Sequence, residues 1–171
     1  MKMEFEGIRL DSNLINEIKE IFENEIKKLE IEIFKVCGVE FNIASPKQLG
    51  EVLFEKLILE SNPKKTKTGQ YSTSEDTLSK LAKKHEVVKL ILEWRSLQKL
   101  LTTYVYNLPK QIDSNSNKIH TEFNQTLTTT GRLSSINPNL QNIPIRTERG
   151  KLIRKSFIPV SYTHLTLPTT V

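Results

Sequence analysis

Between residues 15 and 36, large apolar side chains recur every three or four positions, and this spacing constrains the fold more than any other feature. The positions are Ile15, Ile18, Phe22, Ile26, Leu29, Ile33 and Val36. Such spacing places the side chains on one face of an α-helix and leaves the opposite face to charged residues. Asp11 or Ser12 is suited to cap the start, and Gly38 to end the helix. The sequence therefore predicts one long amphipathic helix over this segment.

Three further helices are indicated downstream. Ser45 as N-cap and Pro46 at the first helical position predict a second helix that runs to about Leu59. Ser72 and Glu75 have the spacing of a capping box, so a short helix should follow them. A second apolar stripe, at residues 87–108, ends at a proline. It predicts another long helix and places the tryptophan of that helix in the core. This stripe consists of Val87, Leu90, Ile91, Trp94, Leu97, Leu101, Tyr104, Val105 and Leu108.

The remaining pattern is a short β segment. After a turn-rich stretch at 113–117, residues 119–125 alternate between two faces, which is typical of a strand and fits one arm of a hairpin. His120 lies on this strand without a clear carboxylate or nucleophile beside it, so we favour a structural use over catalysis. The fold class predicted is mainly α with a small β portion (α+β).

Two sets of cations lie outside this β segment. The polar loop between the second and third helices carries Lys64, Lys65 and Lys67. These lysines fit contacts to a phosphate backbone or a solvated loop tip, and from the residues alone we favour the second. Arg95 and Lys99 are four residues apart on a flank of the 87–108 stripe, so their side chains point the same way. By default they are surface cations.

The stretch TTTGRLSSINPNLQNIPIR, residues 128–146, has no helical or strand periodicity, yet it is dense in side-chain donors. Residues 118–155 carry seven basic and two acidic side chains, and the other 133 residues carry 18 of each, so the whole net charge of +5 lies around this loop. Concentrated positive charge indicates a polyanionic partner, with nucleic acid the first candidate. Gly131 fits a positive φ or a close backbone approach, Pro138 and Pro144 stiffen the loop, and Ser134 and Ser135 are suited to turns.

Arginine, asparagine and glutamine side chains offer donors that suit the minor groove of duplex DNA. Correct base pairs present acceptors there in a pattern too degenerate to identify sequence. A protein that must accept every correct pair, and detect a distorted one, can use that degeneracy. The loop is therefore suited to duplex recognition without sequence specificity.

Other classes of protein fit less well. No apolar run approaches the ~20 residues of a membrane span, and the N-terminus lacks the apolar core of a signal peptide. Cys37 is a single cysteine and is best read as a buried thiol in a reducing compartment. Residues 161–171, SYTHLTLPTTV, change character abruptly and resemble translated sequencing-adapter read-through, so we interpret them as non-native.

The segment TTTGRLSSINPNLQNIPIRTERGKLIRKSFIP resembles the thumb-to-palm boundary of bacterial family A DNA polymerases, the DNA polymerase I family. The upstream strings FNIASPKQLGEVLFEKL, STSEDTLSKLA and ILEWRSLQKLLTTYVYNLP occur in that family's order, and the resemblance covers residues 7–160. It implies a junction at 1–10 after an exonuclease-like domain, a helical thumb at 11–112 and the start of a palm at 113–160. Long thumb helices would then precede the leading edge of the palm.

The resemblance also implies DNA-binding residues. Arg132 matches an arginine that donates into the minor groove at the primer terminus, and Thr128 matches a threonine that contacts the duplex. Asn139, Gln141 and Asn142 match side chains near the template–primer minor groove and its adjoining backbone. Arg146 and Arg154 match positions that approach the polymerase cleft, where they contact DNA or nucleotide phosphates. Cations of the thumb that contact DNA are matched by Arg95 and Lys99 on the long helix and by Lys64, Lys65 and Lys67 at the tip.

Family A polymerases transfer nucleotides with Mg²⁺ held by palm aspartates. The only aspartates of this chain, Asp11, Asp76 and Asp113, match neither family position. We therefore expect Mg²⁺ in the complete enzyme, no metal bound by this chain, no catalytic residues in it, and no polymerase activity from it alone.

The expected partner is primer–template DNA, with deoxynucleotides only in the complete enzyme, no membrane, a monomeric state, and a cytoplasmic, nucleoid-associated location. One alternative is a stand-alone, non-catalytic DNA-binding module that also binds primed duplex. Another is a helical hairpin or coiled-coil partner, which rests on the 15–36 stripe and predicts no DNA binding.

Overall fold

A computed structural model describes residues 2–67 and 69–158, and the segment interpreted as non-native lies outside them. The described residues form two compact units, one of 2–21 with 100–158 and the other within 22–99. Helices dominate both, and the β structure consists of two short antiparallel sheets. The predicted class, mainly α with a small β portion, is confirmed. No helix in the described ranges has both the length and the apolar character needed to cross a membrane.

The long amphipathic helix is α2, Ser12–Cys37, which follows a short helix α1, Lys2–Glu6, and strand β1, Arg9–Leu10. Its first six predicted apolar positions, from Ile15 to Ile33, are buried. Val36, however, is 55% exposed, and Cys37 beside it is buried instead, so the apolar face ends one residue later than predicted. Gly38 follows with a φ of +64°, a conformation that suits glycine at a helix end.

Asp11 caps α2. Its carboxylate oxygen Oδ1 accepts hydrogen bonds from the backbone N–H groups of Asn13 at 3.0 Å and Leu14 at 3.1 Å. These are two of the donors that the first turn of a helix leaves without partners. Of the two residues that the sequence left open for this position, the structure selects Asp11 over Ser12.

In the 22–99 unit, Ser45 caps helix α3, Pro46–Glu51, as predicted, and a π-helix, Val52–Lys56, continues it. This second helix thus ends before Leu59. The third, α4, Glu75–Leu81, is capped by Ser74, whose side chain accepts from the Thr77 N–H. The prediction that Ser72 provides this cap is wrong, because the hydroxyl of Ser72 contacts the Ser74 and Thr77 hydroxyls rather than the helix backbone.

The 87–108 stripe forms α5, Glu86–Leu100. A second π-helix, Leu101–Val105, and a 3-10 helix, Pro109–Gln111, follow it. Its predicted apolar positions are buried, apart from a half-buried Leu90. Trp94 is 6% exposed and its indole N–H donates to the Glu30 carboxylate at 3.1 Å, so its predicted place in the core is confirmed.

The predicted strand is β2, Glu122–Asn124, which pairs antiparallel with β3, Ser134–Ile136, to make the hairpin. Helix α6, Glu148–Lys155, leads into β4, Phe157–Ile158, which pairs with β1. His120, just before β2, is held at both ring nitrogens: Nδ1 donates to the Glu4 carbonyl at 2.8 Å, and Nε2 lies within hydrogen-bond distance of the Ser116 hydroxyl at 2.7 Å. Its predicted structural use is confirmed.

We predict that Asp11→Ala lowers the free energy of unfolding by about 1 kcal/mol, because two N–H groups of α2 lose their acceptor. Ser12→Ala, the matched control, should change it by no more than about 0.5 kcal/mol. Urea unfolding of both variants checks this. A larger loss from Ser12→Ala than from Asp11→Ala would contradict the assignment of the cap.

Candidate nucleic-acid interface

The candidate interface is the irregular loop that β2 and β3 present, together with its continuation to α6. Its first turn is closed by Thr128, whose hydroxyl donates to the Arg132 carbonyl at 2.5 Å and whose own carbonyl accepts from the Gly131 N–H at 3.2 Å. Gly131 has a φ of +72°, and open space surrounds the place where a Cβ would lie. The glycine therefore serves the positive φ rather than a close approach, and Thr128 shapes the turn that exposes Arg132.

A pair of buried hydroxyl groups holds the middle of the loop. The hydroxyls of Thr121 and Ser135 are 2.7 Å apart, and Ser135 is fully buried. Around them lie the carbonyl oxygens of Ile136 and Pro138 and the N–H of Leu140, at 2.7 to 3.1 Å. Residues 137–140 lie outside the strands and helices, so the two hydroxyls provide partners for polar groups of this backbone. Ser134 and Ser135 lie in strand β3, so the prediction that they form a turn is wrong, and Ser135 is instead a buried support.

The next three polar side chains are oriented by backbone contacts. The amide oxygen of Gln141 accepts from the Ser135 N–H at 3.0 Å, and that of Asn139 accepts from the Gln141 N–H at 3.1 Å. Because a backbone N–H can only donate, each contacting side-chain atom must be the oxygen. What remains on these exposed side chains is the NH₂ group, a donor.

Asn142 is fixed through its backbone rather than its side chain. The buried hydroxyl of Tyr104 donates to the Asn142 carbonyl at 2.6 Å, and burial raises the pKa of Tyr104, which keeps that hydroxyl protonated. Ile143 is buried beside it, whereas the side chain of Asn142 is exposed. The loop therefore presents Asn139, Gln141 and Asn142 to solvent from a backbone that is anchored at alternate points.

The loop ends at α6. Thr147 caps this helix by accepting from the Gly150 N–H at 3.1 Å, and a Cβ on Gly150 would overlap the Pro144 carbonyl. That close approach joins the helix to the proline segment. Arg146 is exposed just before the cap, and Arg154 is half-buried in the last turn of α6.

The remaining candidates lie in the 22–99 unit. Lys64, Lys65 and Lys67 are exposed on a turn closed by the bridge between Lys65 and Tyr71. Arg95 is half-buried and donates to the Thr73 carbonyl at 2.6 Å and the Thr73 hydroxyl at 3.3 Å. Lys99 is exposed on the same helix.

The sequence indicates the side chains that line the candidate interface better than the side chains that support it. The alternation of 119–125 predicted that Thr121 shares a face with Ile119, and both are buried. Nothing in the spacing predicted that Thr121 would meet Ser135, that Tyr104 would meet Asn142, or that Thr73 would meet Arg95. Each of these contacts joins segments 14 or more residues apart in the chain.

The side chains present do not fit Mg²⁺, which takes several oxygen ligands. Apart from the Thr128 hydroxyl, the candidate side chains of the loop and of α6 are guanidinium and amide groups. Elsewhere, Asp11 caps α2 and Asp113 accepts from the N–H groups of Asn115 and Ser116. Within residues 2–67 and 69–158, no group of three or more His, Cys, Asp and Glu side chains is arranged to hold a metal ion.

Comparison with known proteins decides the family. The model of the family described as DNA polymerase family A matches residues 12–168. This chain belongs to DNA polymerase family A. The match runs into the terminal segment that we interpret as non-native, and that interpretation stays a prediction.

Individual relatives agree with the family. The chain is 52% identical over 157 residues to DNA polymerase I of Geobacillus stearothermophilus and 51% identical over 158 residues to that of Bacillus subtilis. Each alignment covers 92% of this chain and 18% of the relative, so the chain spans less than a fifth of their length.

A solved structure is similar over nearly the whole chain. It is the POL domain of Pol1 from M. smegmatis in complex with a DNA primer–template and dNTP, and it superposes with a TM-score of 0.81 at 41% identity. The similarity covers 94% of this chain and 28% of that domain's chain.

We predict that Ser135→Ala lowers the free energy of unfolding by about 1–3 kcal/mol, since the buried Thr121 hydroxyl and Leu140 N–H lose a partner. Ser134→Ala, next to it but half-buried, should change the value by about 0.5 kcal/mol or less. Urea unfolding measures both. Equal losses would mean that the hydroxyl pair does not support the loop.

Proposed function

We propose that this chain is the part of a DNA polymerase that grips the primer–template duplex. Residues 11–112 would form the thumb and residues 113–160 the start of the palm, with 1–10 as the junction before them. The observation that carries the proposal is the orientation of Asn139 and Gln141, whose amide oxygens are held by the backbone while their NH₂ groups remain exposed.

Donors of this kind match the minor groove. Purine N3 and pyrimidine O2 atoms are acceptors in every correct base pair, so an array of donors accepts any sequence. Arg132 adds a planar fork of donors on the neighbouring turn, and Asn142 adds another amide. A mismatched pair shifts these acceptors, and the rigid backbone behind the loop prevents the donors from following. The loop would thus test the shape of the pair at the primer end.

Contacts to the phosphate backbone would supply most of the affinity. Lys64, Lys65 and Lys67 on the exposed turn and Lys99 on α5 are the candidates in one unit. In the other, Arg146 and Arg154 flank the start and end of α6. Cations in these positions attract DNA without reading its sequence. Thr128 would act by shaping the turn of Arg132.

Catalysis would belong to the rest of the polymerase. The metal-binding aspartates and the deoxynucleotide site that the family uses have no counterpart among the residues matched by the resemblance. Mg²⁺ would act in the complete enzyme, and we propose that this chain alone binds primed DNA as a monomer without extending it. We also propose that it acts in the cytoplasm, in association with the nucleoid.

The chain should bind primed duplex of unrelated sequences with similar affinity. The logarithm of the binding constant should fall with the logarithm of salt concentration at a slope of about −0.9 per phosphate neutralised. Fluorescence anisotropy measures this, and the same sample given Mg²⁺ and deoxynucleotides should leave the primer unextended. Failure to bind at low salt would refute the DNA-gripping role, and extension without a contaminating polymerase would refute the inactivity.

In the complete polymerase, Arg132→Ala should reduce discrimination against a mismatched primer end by about tenfold, because minor-groove hydrogen bonds worth ~1–3 kcal/mol are lost. Binding to duplex should change less, since phosphate attraction remains. Lys84→Ala removes the same charge from an exposed site outside the proposed interface and is the control. Single-turnover extension of matched and mismatched ends is the measurement. Unchanged discrimination in Arg132→Ala would remove this residue from the proposed role.

A further inference from the structure

The turn that carries the three lysines is closed by short-range hydrogen bonds, which include Gly69 N–H to the Thr66 carbonyl at 2.9 Å and the Thr66 hydroxyl to the Gln70 carbonyl at 3.1 Å. The Thr66 N–H donates to the Gln70 carbonyl at 2.7 Å, and the Ser72 N–H donates to the Lys64 carbonyl at 2.8 Å. A two-stranded turn of this size is marginally stable in water by itself. Its shape must therefore depend on how the segment that follows it is attached to the rest of the unit.

Two attachments follow the turn. The centre of the Tyr71 ring lies 5.2 Å from the centre of the Phe54 ring. Tyr71 also packs against Gly50, where an added Cβ atom would lie 2.9 Å from the Tyr71 Cβ atom. Two residues later, Thr73 is 8% exposed, and both of its oxygen atoms accept hydrogen bonds from Arg95. Thr73 immediately precedes Ser74, the cap of α4. Arg95 therefore holds the junction between the lysine turn and α4.

The environment of Arg95 fits this role. Burial lowers the pKa of its guanidinium, yet an arginine remains charged at any physiological pH. A charged donor forms stronger hydrogen bonds than a neutral one, and the planar fork can serve the carbonyl and the hydroxyl of Thr73 together. Two of its five donors are thereby directed at protein rather than at solvent. Lys89, on the same helix, is exposed and makes a natural comparison.

We propose that Arg95 is a positioning residue that holds the turn of Lys64, Lys65 and Lys67 in the arrangement that meets the DNA backbone, rather than a phosphate contact itself. This inference rests on the proposed DNA-gripping function. The attachment of the turn by Arg95 can nevertheless be tested in the chain without DNA, which separates the two.

The first test measures hydrogen exchange of the Thr66 and Ser72 amides by NMR. Arg95→Met keeps an unbranched apolar stem but removes the donors, and it should speed exchange of both amides by about tenfold. Lys89→Met removes the same charge from an exposed site and should leave both rates within about twofold. Unchanged exchange in Arg95→Met, with the amides of α5 also unchanged, would overturn the proposal.

The second test combines Arg95→Met with a variant in which the three lysines are replaced by alanine. Arg95→Met should weaken binding of primed duplex several-fold when the lysines are present and by less than about twofold when they are absent, because its effect acts through them. An equal loss in both backgrounds would mean that Arg95 contacts DNA directly. If the unmodified chain binds no duplex, the gripping function fails, and the exchange rates alone decide whether Arg95 holds the turn.

Discussion

The candidate interface depends on one constraint, which is that an irregular backbone must find partners for its polar groups. The loop after β3 has little regular structure, so the buried hydroxyls of Thr121 and Ser135 accept and donate where strand bonds would otherwise form. Their contacts hold the backbone from Ile136 to Leu140 rigid. Because that backbone is fixed, the side chains it carries can remain exposed and still point in defined directions. Flexible donors on the same sequence would follow a distorted base pair instead of testing it.

The helical part of the fold could be predicted from the sequence because it follows from local patterns. Apolar spacing located α2 and α5, and the Ser45–Pro46 pair located α3. The errors lie where several local choices have similar energies. Ser72 and Ser74 are both residue types suited to cap a helix, and the structure has Ser74 at the cap. The π-helical turns at Val52–Lys56 and Leu101–Val105 have no signal in apolar spacing, since their apolar residues are buried and their polar residues exposed, as in an α-helix.

The candidate site divides in the same way. Residue types and the resemblance predicted which side chains line it, because donor chemistry and charge can be read directly from the sequence. The supporting contacts could not be predicted, since they join distant segments: Tyr104 reaches the Asn142 carbonyl and Arg95 reaches Thr73. Arg95 shows the consequence most clearly. Its spacing on a helix flank indicated a surface cation and the resemblance implied a DNA contact, whereas the structure shows a half-buried side chain with two hydrogen bonds to Thr73.

We propose that the loop meets the minor groove through its amide donors. It is tested most directly by following the side-chain NH₂ signals of Asn139, Gln141 and Asn142 by NMR while primed duplex is added, with the exposed Asn24 on α2 as reference. We expect the three loop signals to shift together with duplex occupancy, the Asn24 signal to stay in place, and a minor-groove-binding compound to reverse the shifts. Shifts confined to lysine and arginine side chains, with the three amides unmoved, would contradict it.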